Sequence, residues 1–331
     1  MRRFKHTAML AGFCFLIGGC MALSPMPEPL VPKEADTAKE KEPIAPKDGG
    51  SSKENEPEAP KAPEPAKTLF EWSIGPDDKP KAPEEPEKRE PITTDRPDFT
   101  EASSTVGKGV IQLEAGYTFF RDRSNGVKTD QHSYPEALFR IGMFADWFEL
   151  RLGQNLGTVR NKSLQITEGF SGTEDFYLGT KLFLTEQKSY LPESSVILQM
   201  NVPTGHREFT GNRVQPGINY LYGWDVIEDC LSFAGSTQAN LSVDDVDHSY
   251  LELAQSFTIG YTLTEKLGAY TEWFAFFPSG ALAPGVSAQH YLDGGFTYKV
   301  TDDFQLDIRG GVGLSRQAQD FFLGTGFAVR F

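Results

Sequence analysis

The chain has 331 residues, of which 39% are hydrophobic and 24% charged, and a formal net charge of -14. So acidic a balance argues against nucleic acid as a partner. No internal stretch approaches the 18 or more apolar residues of a membrane helix, yet a β-barrel stays open, because only every second residue of a barrel strand meets lipid.

Residues 1–20 have the layout of an export signal, with Arg2, Arg3 and Lys5 ahead of a short apolar run from Ala8 to Gly19. The run closes on Leu16-Ile17-Gly18-Gly19-Cys20. This resembles a bacterial lipobox, so Cys20 is the expected lipidation site, with ordinary cleavage after Ala22 as the alternative. Cys14 would leave with the signal. Cys230 is then expected to stand alone as a small apolar residue.

Residues 21–91 are a different material. Fifteen of the chain's 22 prolines fall there, amid Glu, Lys and Ala and without apolar periodicity. Such a stretch buries too little surface to offset its conformational entropy, so a disordered periplasmic linker is expected. The island Leu69-Phe70-Glu71-Trp72-Ser73-Ile74 reads either as a sticky patch or as a docking peptide for another envelope component. Residues 92–107 follow as a pre-barrel segment, in which Thr94–Glu101 is placed to occupy a periplasmic mouth as a small plug.

Residues 108–331 scan as repeated two-residue alternation. Ile111, Leu113, Ala115, Tyr117 and Phe119 alternate with Gln112, Glu114, Gly116 and Thr118. Further runs lie at 136–141, 148–152, 175–184, 195–202, 218–224, 231–233, 251–261, 267–273, 292–298, 304–312 and 321–331. The expected fold is all-β: a closed antiparallel transmembrane β-barrel of about 12 strands, the even number that puts both chain ends on one side. Longer stretches rich in Gly, Asn, Ser or charge (122–132, 155–172, 203–214, 241–248, 278–287, 315–320) alternate with mostly tighter turns. External loops and periplasmic turns of such barrels differ in that way.

The apolar face of these runs carries no charge. The opposite face carries Glu114, Glu136, Arg140, Glu149, Arg151, Asp175, Lys181, Glu252, Glu272, Asp293, Asp307, Arg309 and Arg330, which are therefore the expected pore-lining residues. Tyr134, Tyr177, Tyr250, Tyr270, Phe274 and Tyr291 fall on that face too. The ending, with Gly326, Val329 and Phe331, resembles the signal by which the barrel-assembly machinery recognises outer-membrane barrels.

A family resemblance rests on Thr94-Asp95-Arg96-Pro97-Asp98-Phe99-Thr100-Glu101, on the stretch from Gly107 to Tyr117, on Gly172–Lys181 and on Val202-Pro203-Thr204-Gly205. Together these resemble an outer-membrane transporter family linked by name to the MetA pathway of phenol degradation. The resemblance spans about residues 93–331 and implies a passive outer-membrane transporter. The Pro-rich tail departs from it.

The expected function is a passive channel for small organic solutes, embedded in outer-membrane lipid and biased toward cations by its excess of lumen carboxylates. The alternative is a closed structural barrel that tethers the envelope through its tail. An enzyme is disfavoured, because Ser287 and His290, three residues apart, fall on opposite faces of a strand. His132, His206 and His248 are too scattered for a metal site, and no catalytic set or cofactor motif stands out. Mass spectrometry of the mature N-terminal peptide checks the lipidation: an acylated peptide beginning at Cys20 is expected, and one beginning at Leu23 contradicts it.

Overall fold

The computed structural model describes residues 90–124, 126–163, 167–283 and 286–331. The signal, Cys20 and nearly all of the linker, with its Leu69–Ile74 island, lie outside them. The strands are β1 (Ile111–Ser124), β2 (Val127–Gly142), β3 (Phe148–Lys162), β4 (Thr167–Thr173), β5 (Phe176–Thr185), β6 (Glu193–Val202), β7 (Gln215–Ile227), β8 (Leu231–Val243), β9 (Ser249–Thr262), β10 (Leu267–Ser279), β11 (Gln289–Thr301), β12 (Phe304–Gly313) and β13 (Phe321–Arg330). Each pairs antiparallel with its neighbours. β1 pairs with both β2 and β13, which closes the sheet on itself.

Both β4 and β5 lie against β3, with β4 opposite Leu156–Lys162 and β5 opposite Phe148–Gly153. They are two halves of one interrupted strand, so the ring has twelve walls, as the sequence led one to expect. At the break Asp175 accepts hydrogen bonds from the Gly205 and Gly211 amides, both at 3.0 Å, and ties the loop between β6 and β7 to the barrel.

The burial is inverted relative to a soluble protein. Glu114, Glu149, Arg151 and Lys181 are 0% exposed, while Ile308 is 57% and Leu323 56% exposed. Period-two alternation dictates this: one face of each strand meets lipid and the other the lumen. On the lipid-facing wall rings follow one another across strands. Trp224–Phe233, Phe233–Phe257, Phe257–Trp273 and Trp273–His290 have centroids 6.1, 6.0, 5.9 and 5.8 Å apart. His290 is a member of this aromatic row, wedged between Trp273 and Phe277.

Two details depart from the sequence reading. The stretches 122–132 and 155–172 are largely ladder, not loop. Beyond the apolar band neither face needs to be apolar, so the alternation fades while the backbone pairing continues. Tyr134 points outward and is 41% exposed. A bulge between Tyr134 and Ala137, with Glu136 at φ 45°, reverses the side-chain parity of β2 at that point.

A closed barrel has no free edge from which detergent can unzip it. Unboiled and boiled samples should therefore migrate differently on SDS gels. Equal mobility would contradict the closure of β1 on β13.

Candidate functional site

The lumen is not an empty tube. Residues 92–107 thread into it and meet the charges that the wall presents. One strand after another places a charged group there: Glu114 on β1, Arg140 on β2, Glu149 and Arg151 on β3, Lys181 on β5. Arg140 forks onto Glu149 through Nε and Nη2, at 2.9 and 3.0 Å, and reaches Glu114 at 3.1 Å. Arg151 also bonds Glu149, at 2.9 Å. Arg140 and Arg151 thus share two wall carboxylates, and Lys181 beside them pairs with neither among the described residues.

The segment supplies what is missing. Asp95 lies 2.5 Å from Arg151, 3.0 Å from Lys181 and 3.3 Å from Arg140. Glu101 pairs with Arg151 and accepts a bond from Asn219 at 3.0 Å. Where the wall is acidic, the segment offers a cation: Arg96 grips both oxygens of Asp307, each at 3.2 Å, and Glu136 at 2.8 Å. The paired glycines Gly116 and Gly326 make the room. A Cβ at either would come within 2.3–2.4 Å of the Arg96 guanidinium.

Backbone amides complete the match. Asp95 and Arg96 donate N–H to Glu114, and Phe99 and Thr100 donate to Glu272 at 2.6 and 2.8 Å. Each carboxylate so held has exchanged its water for fixed donors, which a buried charge requires. Burial alone would push the Asp95 carboxyl up, but Arg140, Arg151 and Lys181 outweigh it and hold it far below the usual carboxylate range.

The remaining expected lining residues are spread along the axis. Arg309 donates to the Pro97 carbonyl and to Thr118, both at 2.9 Å. Asp293 accepts from Tyr270 at 3.0 Å, and Glu252 from Tyr250 at 3.3 Å. Glu252 and two others do not join the network. Asp175 clasps a loop, and Arg330 sits at the rim, holding Asp303 at 2.7 Å and the Glu90 carbonyl at 2.8 Å. Of the aromatics, Phe274 and Tyr291 stack, and Phe99 of the segment stacks on Phe274, both pairs at 4.8 Å. Phe322 closes this cluster.

The segment separates two spaces. A cavity of about 890 Å³ opens toward the longer loops, walled by Tyr177, Gln199, Glu208 and Phe209. Another of about 460 Å³ lies toward the short turns, walled by Ser232, Thr258 and Lys299. Arg96 and Asp98 line both, so only a short length of chain stands between them. Sequence reading placed Thr94–Glu101 at the mouth. It missed that Asp95, Arg96, Phe99 and Glu101 are themselves site residues, because their partners lie on distant strands. The visible signal was a dense run of charge immediately before the first strand.

Breaking a buried ion pair by removing one partner costs about 3–5 kcal/mol, since the other charge is stranded. Asp95→Asn should therefore loosen the segment, giving larger and noisier single-channel currents at pH 7. A folded-state carboxyl pKa below its unfolded value contributes stability above the unfolded value and loses it only as pH falls through the folded one. The Asp95 contribution to the lock should thus be the same at pH 5 as at pH 7, and the difference between wild type and Asp95→Asn should persist at pH 5. A quiet Asp95→Asn channel would contradict the lock.

No protein of curated function matches the sequence. The crystal structure of the COG4313 outer membrane channel from Pseudomonas putida F1 is similar in fold, with a TM-score of 0.56 at 12% identity, covering 71% of this chain and 99% of that one. The NanC porin gives a TM-score of 0.42 at 8% identity, covering 66% of this chain and 98% of that one. The family model described as "Putative MetA-pathway of phenol degradation" matches residues 94–331, from the lumen segment to the last strand, and the chain belongs to that family.

Proposed function

We propose that the protein is a passive outer-membrane channel for small organic solutes, with residues 92–107 as the constriction in its path. The observation that carries this is the lumen itself, with roomy cavities on both sides of a thin barrier of chain. Twelve strands leave a slimmer bore than the 16–18 of general porins. The short turns and both barrel ends face the periplasm on this reading, with the N-terminal tail beside them.

The outer cavity favours cations. Asp98, Glu101, Glu136, Glu174, Asp175 and Glu208 line it together with Arg96, Arg151 and Arg309. Carboxylates in excess attract positive charge at a pore mouth. Phe99, backed by the buried Phe274 and Tyr291, is the ring of this stack that lines the outer cavity, and it offers an aromatic contact in keeping with the phenol pathway in the family's description.

The filled lumen favours a second reading, a closed barrel that serves the envelope structurally. Reversal potentials of the refolded full chain under a salt gradient decide between them. Cation preference is expected; anion preference would contradict the charge assignment. No current and no solute flux into liposomes would leave the structural barrel as the function.

A further inference from the structure

The lipid-facing wall carries one strongly charged patch, at the loop end of β1, β2 and β3. Cross-strand register puts Arg123, Lys128 and Lys162 side by side in one row, and Arg121, Asp130 and Arg160 in the row beneath. Parity turns both rows away from the lumen. Phe119 and His132, two residues further down, belong to the outward set, and the intervening Thr129 and Asn161 bond each other on the opposite face.

Five cations thus face outward around a single carboxylate. Asp130 is already engaged by Arg121 at 2.7 Å and Lys128 at 2.9 Å. Arg123, Arg160 and Lys162 have no carboxylate partner among the described residues. Like charges directly opposite one another on adjacent strands are destabilising unless a counter-charge sits on them. Adjacent strands are about 4.8 Å apart and rows two residues apart are separated by about 7 Å, so the cations span the width of a sugar-phosphate headgroup.

The surroundings fit a lipid rather than a soluble ligand. Beneath the cations lie Phe119, Phe321 and Tyr117, and Arg121 rests on the first two rings at 5.0 and 5.6 Å. An aromatic tier directly below a basic tier marks the depth at which acyl chains give way to headgroups. Beside the patch, β4 turns Thr167, Gly169 and Ser171 outward, opposite Lys162, Arg160 and Thr158, leaving a low shelf. The loops near β8 and β10 instead carry Asp244, Asp245 and Asp247, so the basic tier belongs to one side of the barrel.

We propose that this patch binds the phosphorylated glucosamine headgroup of lipopolysaccharide in the outer leaflet, with Arg123, Lys128, Arg160 and Lys162 on its phosphates. The orientation rests on the outward-facing loops of the proposed function; the patch itself does not depend on whether the lumen conducts. Arginine suits phosphate because its planar fork can donate two parallel bonds.

The test is lipid A retention by the full chain in detergent. Phosphate and acyl chains are quantified for the wild type and for the quadruple variant Arg123→Ser, Lys128→Ser, Arg160→Ser, Lys162→Ser. The variant, still heat-modifiable on gels and unchanged in solute flux, should retain at least tenfold less lipid A. Equal retention by the folded variant would overturn the proposal. Wild-type protein offered dephosphorylated lipid A should also retain tenfold less, a result that stands even if the variant fails to assemble; equal retention would overturn the proposal. Displacement of lipid A by millimolar inorganic phosphate alone would also overturn it, because the site would then read phosphate and not a lipid. Loss of flux in the wild type would count against the channel, not against this site.

Discussion

Asp95 sits against Arg140, Arg151 and Lys181, and the interior of the barrel depends on that contact. A barrel in lipid must turn its polar side chains inward, and a narrow one brings them too close together for bulk water to separate. The wall offers three cations to two carboxylates at this level, and the segment adds Asp95 and Glu101. Where the wall is acidic, at Glu136 and Asp307, the same segment brings Arg96. Buried ion pairs are weak evidence for stability, because desolvation offsets most of their attraction. They are strong evidence for registry: each charge finds its partner only when the segment lies along this path.

That complementarity explains why the segment runs through the middle of the lumen. Its amides satisfy Glu114 and Glu272, its carbonyls receive Lys181, Gln112 and Arg309, and Phe99 adds a ring to the aromatic stack. A peptide of irregular backbone can be buried only if its N–H and C=O groups are met, and here the wall meets them. Gly116 and Gly326, facing each other, leave the hole that the Arg96 side chain fills. Gly326, read from the sequence as part of an assembly signal, thus also has a packing reason to lack a side chain.

Much of this was legible in the chain. Alternation from Ile111 to Phe331 gave the strands and their faces, because within the apolar band each strand must obey period two. It ceased to inform where that constraint ends. The outer parts of β2, β3 and β4 are polar on both faces and read as loop, and that hid the basic tier on the outer wall. Tyr134 was placed on the wrong face because a bulge leaves no trace in a period count. The depth of the plug was illegible for a different reason. Asp95 is 45 residues from Arg140 and 86 from Lys181, and no local pattern encodes such pairings.

Function follows from how firmly the segment is held. A fixed segment makes a narrow, charge-filtered passage or a closed wall, and a loose one makes a gated channel. The most direct measurement is amide hydrogen exchange of residues 92–107 in the folded barrel. The network of Asp95 with Glu114 and of Phe99 and Thr100 with Glu272 predicts that the amides of Asp95, Arg96, Phe99 and Thr100 are protected to the degree of the β1 and β13 amides. Exchange at the rate of an unstructured peptide would contradict the claim that the segment is a built part of the lumen.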